Sequence, residues 1–304
     1  MKGCEVMKRF LMGWAVLMGI TLAQVGNAEE VKISKDGLTL NANLELAEGS
    51  TLADGVVLMT HGTLAHREME IMATLQSLFS ESGINSLAIN LSLGLDDRHG
   101  MYDCKVPHTH KHTDALDEIG IWLEWLQERG ASQVVLLGHS RGGNQTAWFA
   151  SEEDQPVIRK VILVAPMTWS RDSAIGGYKK RYGKELKPLL SRADKLVEIR
   201  RADDLLEHTD FIYCPDTTAS AAAFVSYYSD EPRMDTPYLL SDISKPVLVF
   251  IGSEDKVVKQ LETKLAPLAD SGTVRVEIIE GADHYFRDLY AEELVEMAVE
   301  FMRE

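Results

Sequence analysis

Short runs of Val, Ile and Leu alternate along the chain with segments whose apolar residues recur at three- and four-residue spacing. The runs are what strands buried on both faces look like, and the spaced segments are amphipathic helices. Val56–Met59, Ser86–Leu91, Val134–Leu137, Val161–Val164, Val247–Ile251 and Val274–Ile279 are the predicted core strands. Met69–Ser82, Asp114–Arg129, Arg141–Ser151 and Leu289–Arg303 are the predicted helices, with Gly83 and Gly130 placed to end the first two and Thr113 placed to cap the second. Val31–Ser34 and Leu38–Leu46 precede them as a hairpin turning at Asp36-Gly37. This alternation predicts one α/β domain, a mostly parallel central sheet flanked by helices.

The alternation breaks once. Residues 167–243 hold aromatic and charged segments without a convincing core strand, and the stretch is too long for an ordinary connection. A helical insertion lying over the sheet as a lid is expected there. Its first half, from Lys179 to Arg201, is basic, which reads as a solvated helix face, with an anionic substrate or lipid headgroup as the sharper alternative. Trp169, Phe211, Tyr213, Phe224, Tyr227 and Tyr228 either roof a pocket or pack the insertion onto the domain.

Composition narrows the picture. The chain has 304 residues and a formal charge of −16. Such a surface does not suit phosphate backbones, so nucleic acid is not an expected partner. Lys8-Arg9, a 13-residue apolar run from Phe10 to Leu22 and the small residues before Glu29 read as a secretory signal over residues 1–28, leaving 29–304 as the mature domain. The run is shorter than the roughly 20 residues a spanning helix needs, so no stable membrane span is expected after cleavage. The mature chain would carry −18, since residues 1–28 include three Lys or Arg and one Glu. Periplasmic or secreted localisation follows as an expectation. Cys104 and Cys214 would remain, either paired, as an oxidising compartment permits, or as two buried thiols.

Gly138-His139-Ser140-Arg141-Gly142 fits G-x-S-x-G. The pattern alone arises by chance in about one chain of this length in ten. Its context raises it, because a Val-Val-Leu-Leu strand runs into the motif and a helix leaves it. Chemistry asks for this setting: a sharp turn lifts the serine out of the sheet, and the helix N-terminus favours developing negative charge. Here the sequence resembles the α/β-hydrolase fold family, from about Val56 to the C-terminus. The resemblance implies a serine nucleophile, Ser140, with an acid after a late strand and a histidine after the last one. Ile251-Gly252-Ser253-Glu254-Asp255 and Gly281-Ala282-Asp283-His284 look like those two loops, which makes Asp255 the acid and His284 the base. Glu254 and Asp172 are the competing acids.

His61-Gly62-Thr63-Leu64, after the first core strand, resembles the family's oxyanion loop; an ordinary strand-ending turn is the plainer reading. Backbone N–H groups of Thr63 and Arg141 are the expected oxyanion donors. Because a backbone donor survives side-chain substitution, Thr63→Ala is expected to show little. His108, His110 and His112 alternate before the second helix, near Cys104, without a metal-site spacing such as H-E-x-x-H, so no metal and no cofactor are expected. The loop that carries them follows a strand at its C-terminal end and is a candidate wall of the substrate cleft. The resemblance implies a serine hydrolase acting on a small acyl substrate, with a carboxylic ester first. A peptidase or amidase, an acyltransferase and a non-catalytic exported binding module are the alternatives.

Overall fold

The computed structural model describes residues 28–268 and 272–304. All but the last residue of the expected signal lies outside that range. The described residues open on a hairpin, β1 (Glu29–Lys35) and β2 (Leu38–Glu45), paired from Glu29↔Leu44 to Lys35↔Leu38. Asp36 and Gly37 form its two-residue turn with φ of 49° and 84°, a left-handed pair whose twist matches the strands it joins.

Next come β3 (Val56–Thr60), α1 (Glu70–Glu81), β4 (Asn85–Asn90), α2 (Asp114–Glu128), β5 (Val134–His139), α3 (Arg141–Glu152) and β6 (Ile158–Val164). The intervening segment, 167–243, carries α4 (Arg171–Tyr182), α5 (Leu186–Glu198), β7 (Leu205–Phe211), β8 (Cys214–Ser220), α6 (Ala221–Tyr228) and α7 (Thr236–Leu239). Then β9 (Val247–Gly252), α8 (Leu261–Leu265), β10 (Val274–Ile279) and α9 (Leu289–Arg303) complete the chain.

Eight strands form one sheet in the order β1-β2-β4-β3-β5-β6-β9-β10. From β4 to β10 all neighbours are parallel; β2 joins antiparallel. Side-chain alternation divides the core. Val56 and Leu58 of β3 face a cluster with Trp122, Leu126 and Trp148 of α2 and α3, whereas Val57 and Met59 face Leu75, Phe79, Leu294 and Phe301 of α1 and α9. Helices on both faces explain why the strands read as uninterrupted apolar runs. β3 and β5 are neighbours, but the chain leaves β3 toward one edge of the sheet and β5 toward the other. That reversal opens a crevice beyond their C-terminal ends, where open α/β sheets hold ligands.

Two local expectations differ from the structure. The segment 167–243 contains a two-stranded antiparallel hairpin, β7–β8, in addition to helices. Its register slips twice, between Leu206 and Thr209 and between Thr209 and Phe211, which destroys the period-two signal by which a strand is read. Thr113 does not cap α2 with its side chain. Instead the Asp114 carboxylate accepts from Lys111 N–H at 2.7 Å.

Cys104 and Cys214 form a disulfide, with Cα atoms 5.3 Å apart. It joins the loop after β4 to the first residue of β8. Backbone pairing extends the join: His108 N–H donates to Thr218 O at 2.8 Å and Ser220 N–H to His108 O at 2.9 Å. Among the described residues no helix is long and apolar enough to cross a membrane.

Candidate active site

Ser140 lies between β5 and α3 at φ 59° and ψ −120°. A left-handed serine costs on the order of 1–3 kcal/mol and persists only where its surroundings hold it. Ser140 N–H donates to Val164 O and Met167 N–H to Ser140 O, both at 2.9 Å, which pins the turn to the end of β6. Glycine is required beside it: a Cβ on Gly142 would lie 2.3 Å from His61 O, and one on Gly138 2.4 Å from Gly142 O. The glycines therefore let the helix start and the β3 loop close around the serine.

The loops after β9 and β10 approach one another in the same way. A Cβ on Gly252 would lie 2.5 Å from Ala282 O, and Glu254 N–H donates to that carbonyl at 3.0 Å. This contact brings Asp255 to His284. The Ser140 hydroxyl donates to His284 Nε2 at 3.0 Å, and His284 Nδ1–H donates to Asp255 Oδ2 at 2.8 Å. Asp255 Oδ1 accepts from Val257 and Val258 N–H at 2.7 and 3.0 Å. Burial works to raise the Asp255 carboxyl, but the His284 hydrogen bond and charge and these two N–H donors outweigh it and hold it below the usual carboxylate range. Of the competing acids, Glu254 is exposed and Asp172 sits exposed in the first turn of α4.

Two further histidines support these groups, and neither was singled out for that role from sequence. His139 Nε2–H donates to His284 O at 2.9 Å and steadies the loop that carries the base. His61 Nδ1–H donates to Gly62 O at 2.9 Å, while its Nε2 accepts from Leu91 N–H at 3.1 Å, which fixes the loop after β3. Burial, followed by Arg98 for His61 and by His284 for His139, lowers both rings to about 3, so both are neutral supports. Their position just after or at a strand end is the one sequence signal that could have found them.

Thr63 follows this loop, close enough to the turn that a Cβ on Gly62 would lie 3.2 Å from Ser140 Cβ. Arg141 opens α3, and a first-turn N–H has no intrahelical acceptor. A cavity of about 370 Å³ opens over Ser140 and His284. Leu64, Met69, Met101, Tyr102, Tyr213 and Tyr285 supply much of its wall, Cys104 and Val257 contribute, and no described lining residue is Asp or Glu. Of the aromatic side chains singled out in the segment 167–243, Tyr213 lines the cavity. Phe211 and Tyr227 are buried and pack the segment onto His108 and His110 of the loop after β4, whereas Phe224 is buried within the segment, against Tyr178, Phe211 and Tyr228.

His108, His110 and His112 are buried rather than exposed. His108 and His110 pack against Tyr102 and His112 against Trp148 and Tyr227. His108 Nδ1 lies 3.2 Å from His110 Nε2, His110 Nδ1 2.9 Å from the Tyr227 hydroxyl, and His112 Nε2 2.9 Å from Asn144 Oδ1. Burial is the first cause lowering all three, to about 4 for His108 and about 3 for His110, with Arg141 adding to the effect on His110 and His112. The described residues do include one trio near the surface with ligand atoms within 4.8 Å of one another, Glu30 and His99 exposed and Asp97 half-buried. Glu30 and Asp97 already face Lys32, and Glu30 also pairs with Arg67.

Comparison with known proteins places the family and the fold. The family described as serine aminopeptidase, S33, matches residues 52–287. Among solved structures the fold is similar to Est1E from Butyrivibrio proteoclasticus, with TM-score 0.63 and 19% identity over 90% of this chain and 97% of that one. It is also similar to the esterase Pf2001 from Pyrococcus furiosus, with TM-score 0.60 and 17% identity over 91% of each chain. Part of the sequence is 28% identical, over 166 residues, to the dihydrolipoyllysine-residue acetyltransferase component of the acetoin cleaving system of Cupriavidus necator. That match takes in 52% of this chain and 43% of the relative, so the chain spans less than half the length of that curated protein.

Proposed function

The chain belongs to the serine aminopeptidase S33 family, hydrolases with the α/β-hydrolase fold, and from that premise we propose that it is an exported serine hydrolase that cleaves carboxylic esters. One observation carries the reading: an unbroken relay from the Ser140 hydroxyl through His284 to the Asp255 carboxylate, at the floor of the cavity. A serine hydroxyl is a poor nucleophile until a neighbouring base takes its proton, and the base works only in the right tautomer. Asp255, ionised and holding Nδ1–H, leaves Nε2 free to accept.

The proposed cycle runs in two halves. Ser140 Oγ bonds to the acyl carbon as its proton passes to His284 Nε2, and the carbonyl π electrons move onto the oxygen, to which the N–H groups of Thr63 and Arg141 donate hydrogen bonds. The C–O bond to the alcohol breaks, the alcohol leaves with the proton from His284, and an acyl-enzyme remains. Water then gives a proton to His284, attacks the acyl carbon and releases the acid, and Ser140 recovers its proton. An aminopeptidase must also hold the free α-ammonium of its substrate, usually with a carboxylate. The cavity wall has none among its described residues, which favours the ester over the aminoacyl amide. The disulfide supports an oxidising compartment, periplasmic or extracellular, in agreement with the signal-like start. The segment 167–243 serves as the lid, Tyr213 reaching the cavity from its hairpin.

Short-chain p-nitrophenyl esters assayed beside aminoacyl p-nitroanilides test the reading. Ester turnover that disappears in Ser140→Ala is expected. Faster Ser140-dependent cleavage of the anilides would replace the esterase reading with the peptidase one.

A further inference from the structure

Arg141 has a side chain as well as a backbone N–H, and the side chain reaches back over the turn. Its Nε donates to Thr63 Oγ1 at 3.0 Å, and its Nη1 donates to His112 Nδ1 at 3.2 Å. The guanidinium also lies 5.0 Å from the centre of the Tyr227 ring, on α6. Among the described residues no carboxylate comes within ion-pair distance of Arg141. Its partners are a hydroxyl, a neutral ring and an aromatic face, which hold its direction without neutralising its charge.

The ring of His112 is defined by these contacts. Nδ1 faces a donor that cannot lose its proton, so it accepts, and the proton sits on Nε2, which donates to Asn144 Oδ1 at 2.9 Å. Asn144 Nδ2 donates to Thr236 Oγ1 at 3.2 Å, and the Thr236 hydroxyl donates to Met167 O at 2.7 Å. Met167 N–H returns to Ser140 O at 2.9 Å. The contacts therefore form a closed circuit from the nucleophile's carbonyl back to the residue after it, with Thr63 attached at Arg141. Every donor and acceptor in the circuit has one consistent assignment.

We propose that the Arg141 side chain is a positioning residue: it ties the Thr63 hydroxyl to the start of α3 and so aims the N–H groups of Thr63 and Arg141 at one point above Ser140. The proposal rests on the reading of Ser140 as nucleophile. His61 holds the start of the loop after β3, up to Gly62. Without the tie Thr63, one residue beyond, can shift relative to the helix, and the two donors no longer converge on the same oxygen. The geometry needs an arginine. Its planar fork offers two donors in fixed directions and a face for Tyr227, whereas a lysine ammonium cannot meet both acceptors and the ring together. The Thr63 hydroxyl acquires a role in the process, contrary to the expectation that its side chain is dispensable.

The test compares kcat and KM on p-nitrophenyl butyrate for wild type, Thr63→Ser, Thr63→Val, Arg141→Lys, Arg141→Met and the double variant Thr63→Val/Arg141→Met. Misaimed donors act on the transition state, so Thr63→Val and Arg141→Met should each lower kcat about tenfold or more with KM within about threefold. Thr63→Ser, which restores a hydroxyl, should recover most of the kcat that Thr63→Val loses, Arg141→Lys should fall with Arg141→Met, and the double variant should be no slower than the worse single one, because both remove the same tie. Affinity for a trifluoromethyl ketone should fall in step with kcat. If Arg141→Met destabilises the fold, Thr63→Val, nearly isosteric, carries the comparison alone. A kcat within about twofold of wild type in Thr63→Val, or single effects that multiply in the double variant, overturns the proposal. Wild-type protein that neither turns over the ester nor takes up a fluorophosphonate would instead sink the reading of Ser140, which separates the two failures.

Discussion

His284 and His112 both meet one nucleophile turn, the first at Ser140 and the second at Arg141, and the partner of each decides what it can do. His284 donates from Nδ1 to the ionised Asp255 and leaves Nε2 facing a hydroxyl that has a proton to give. His112 donates from Nε2 to the uncharged Asn144 and turns its remaining nitrogen to Arg141, which gives up no proton. A carboxylate neighbour stabilises an imidazolium; at His112 burial and then the Arg141 guanidinium oppose it, and they outweigh the weaker pull of the Asn144 hydrogen bond in the other direction. Two buried imidazoles of the same chemistry thus divide into a base and a strut. His61, His108, His110 and His139 belong with the strut, since burial lowers each of them to about 3 or 4.

Making His284 resemble His112 is the severest way to break the comparison. Asp255→Asn puts an amide where the carboxylate stands, and kcat on an ester should fall about 10⁴-fold with stability little changed. A loss under about tenfold would mean that the carboxylate does not orient the base.

Acidification tests the struts next. Each has a folded-state value below that of a free imidazole, so as pH falls below about 6.5 the unfolded chain takes up protons first. Their contribution to stability is complete above that pH and is lost as pH drops toward the folded values near 3 to 4. The limiting slope is about 1.4 kcal/mol per pH unit for each histidine. Glu118 acts with the opposite sign: burial, against the pull of its Ser92 hydrogen bonds and of Arg98, raises it to about 7, so its contribution is lost as pH rises from about 4.5 toward 7. Histidines outnumber it, and urea unfolding at pH 7, 6 and 5 should show a net loss of several kcal/mol, by the same slope. A flat profile would contradict neutral burial.

The disulfide comes third. It spans 110 residues of sequence, and replacing both Cys104 and Cys214 by Ala should lower unfolding free energy by about 2–4 kcal/mol in denaturant titration. The smallest effect comes from the converse of the first change. Asn144→Asp gives His112 a carboxylate, but it removes the Nδ2 donor to Arg233 O and Thr236 Oγ1. The expected cost is about 1–3 kcal/mol at pH 7, shrinking as pH falls and His112 gains a proton, read by the same unfolding measurement. A stabilising effect at pH 7 would mean that His112 is already charged.

These regions were not equally legible in the sequence. The central strands β3, β5 and β9 were, because burial on both faces leaves the runs Val56–Met59, Val134–Leu137 and Val247–Ile251 without a polar position. Ser140, Asp255 and His284 were too, because each sits where a strand ends and the resemblance assigns that place a role. The β7–β8 hairpin was not: its register slips, and Glu207, His208, Asp210 and Asp216 interrupt its pattern. What holds it, the link to Cys104 and the pairing with His108, arrives from over 100 residues away. The alternation of His108, His110 and His112 was visible, but their burial was not, since Asn144, Arg141 and Tyr227 come from other elements. The Arg141–Thr63 tie, 78 residues apart, leaves no trace in any local spacing.

The central claim, that the turn at residue 140 presents an activated hydroxyl, is tested most directly by intact-mass analysis after treatment with a fluorophosphonate. The account predicts a single adduct on the wild-type protein, mapped by peptide sequencing to Ser140, none on Ser140→Ala, and slow labelling of His284→Ala. Folded wild-type protein that stays unmodified, or an adduct on another residue, would contradict it.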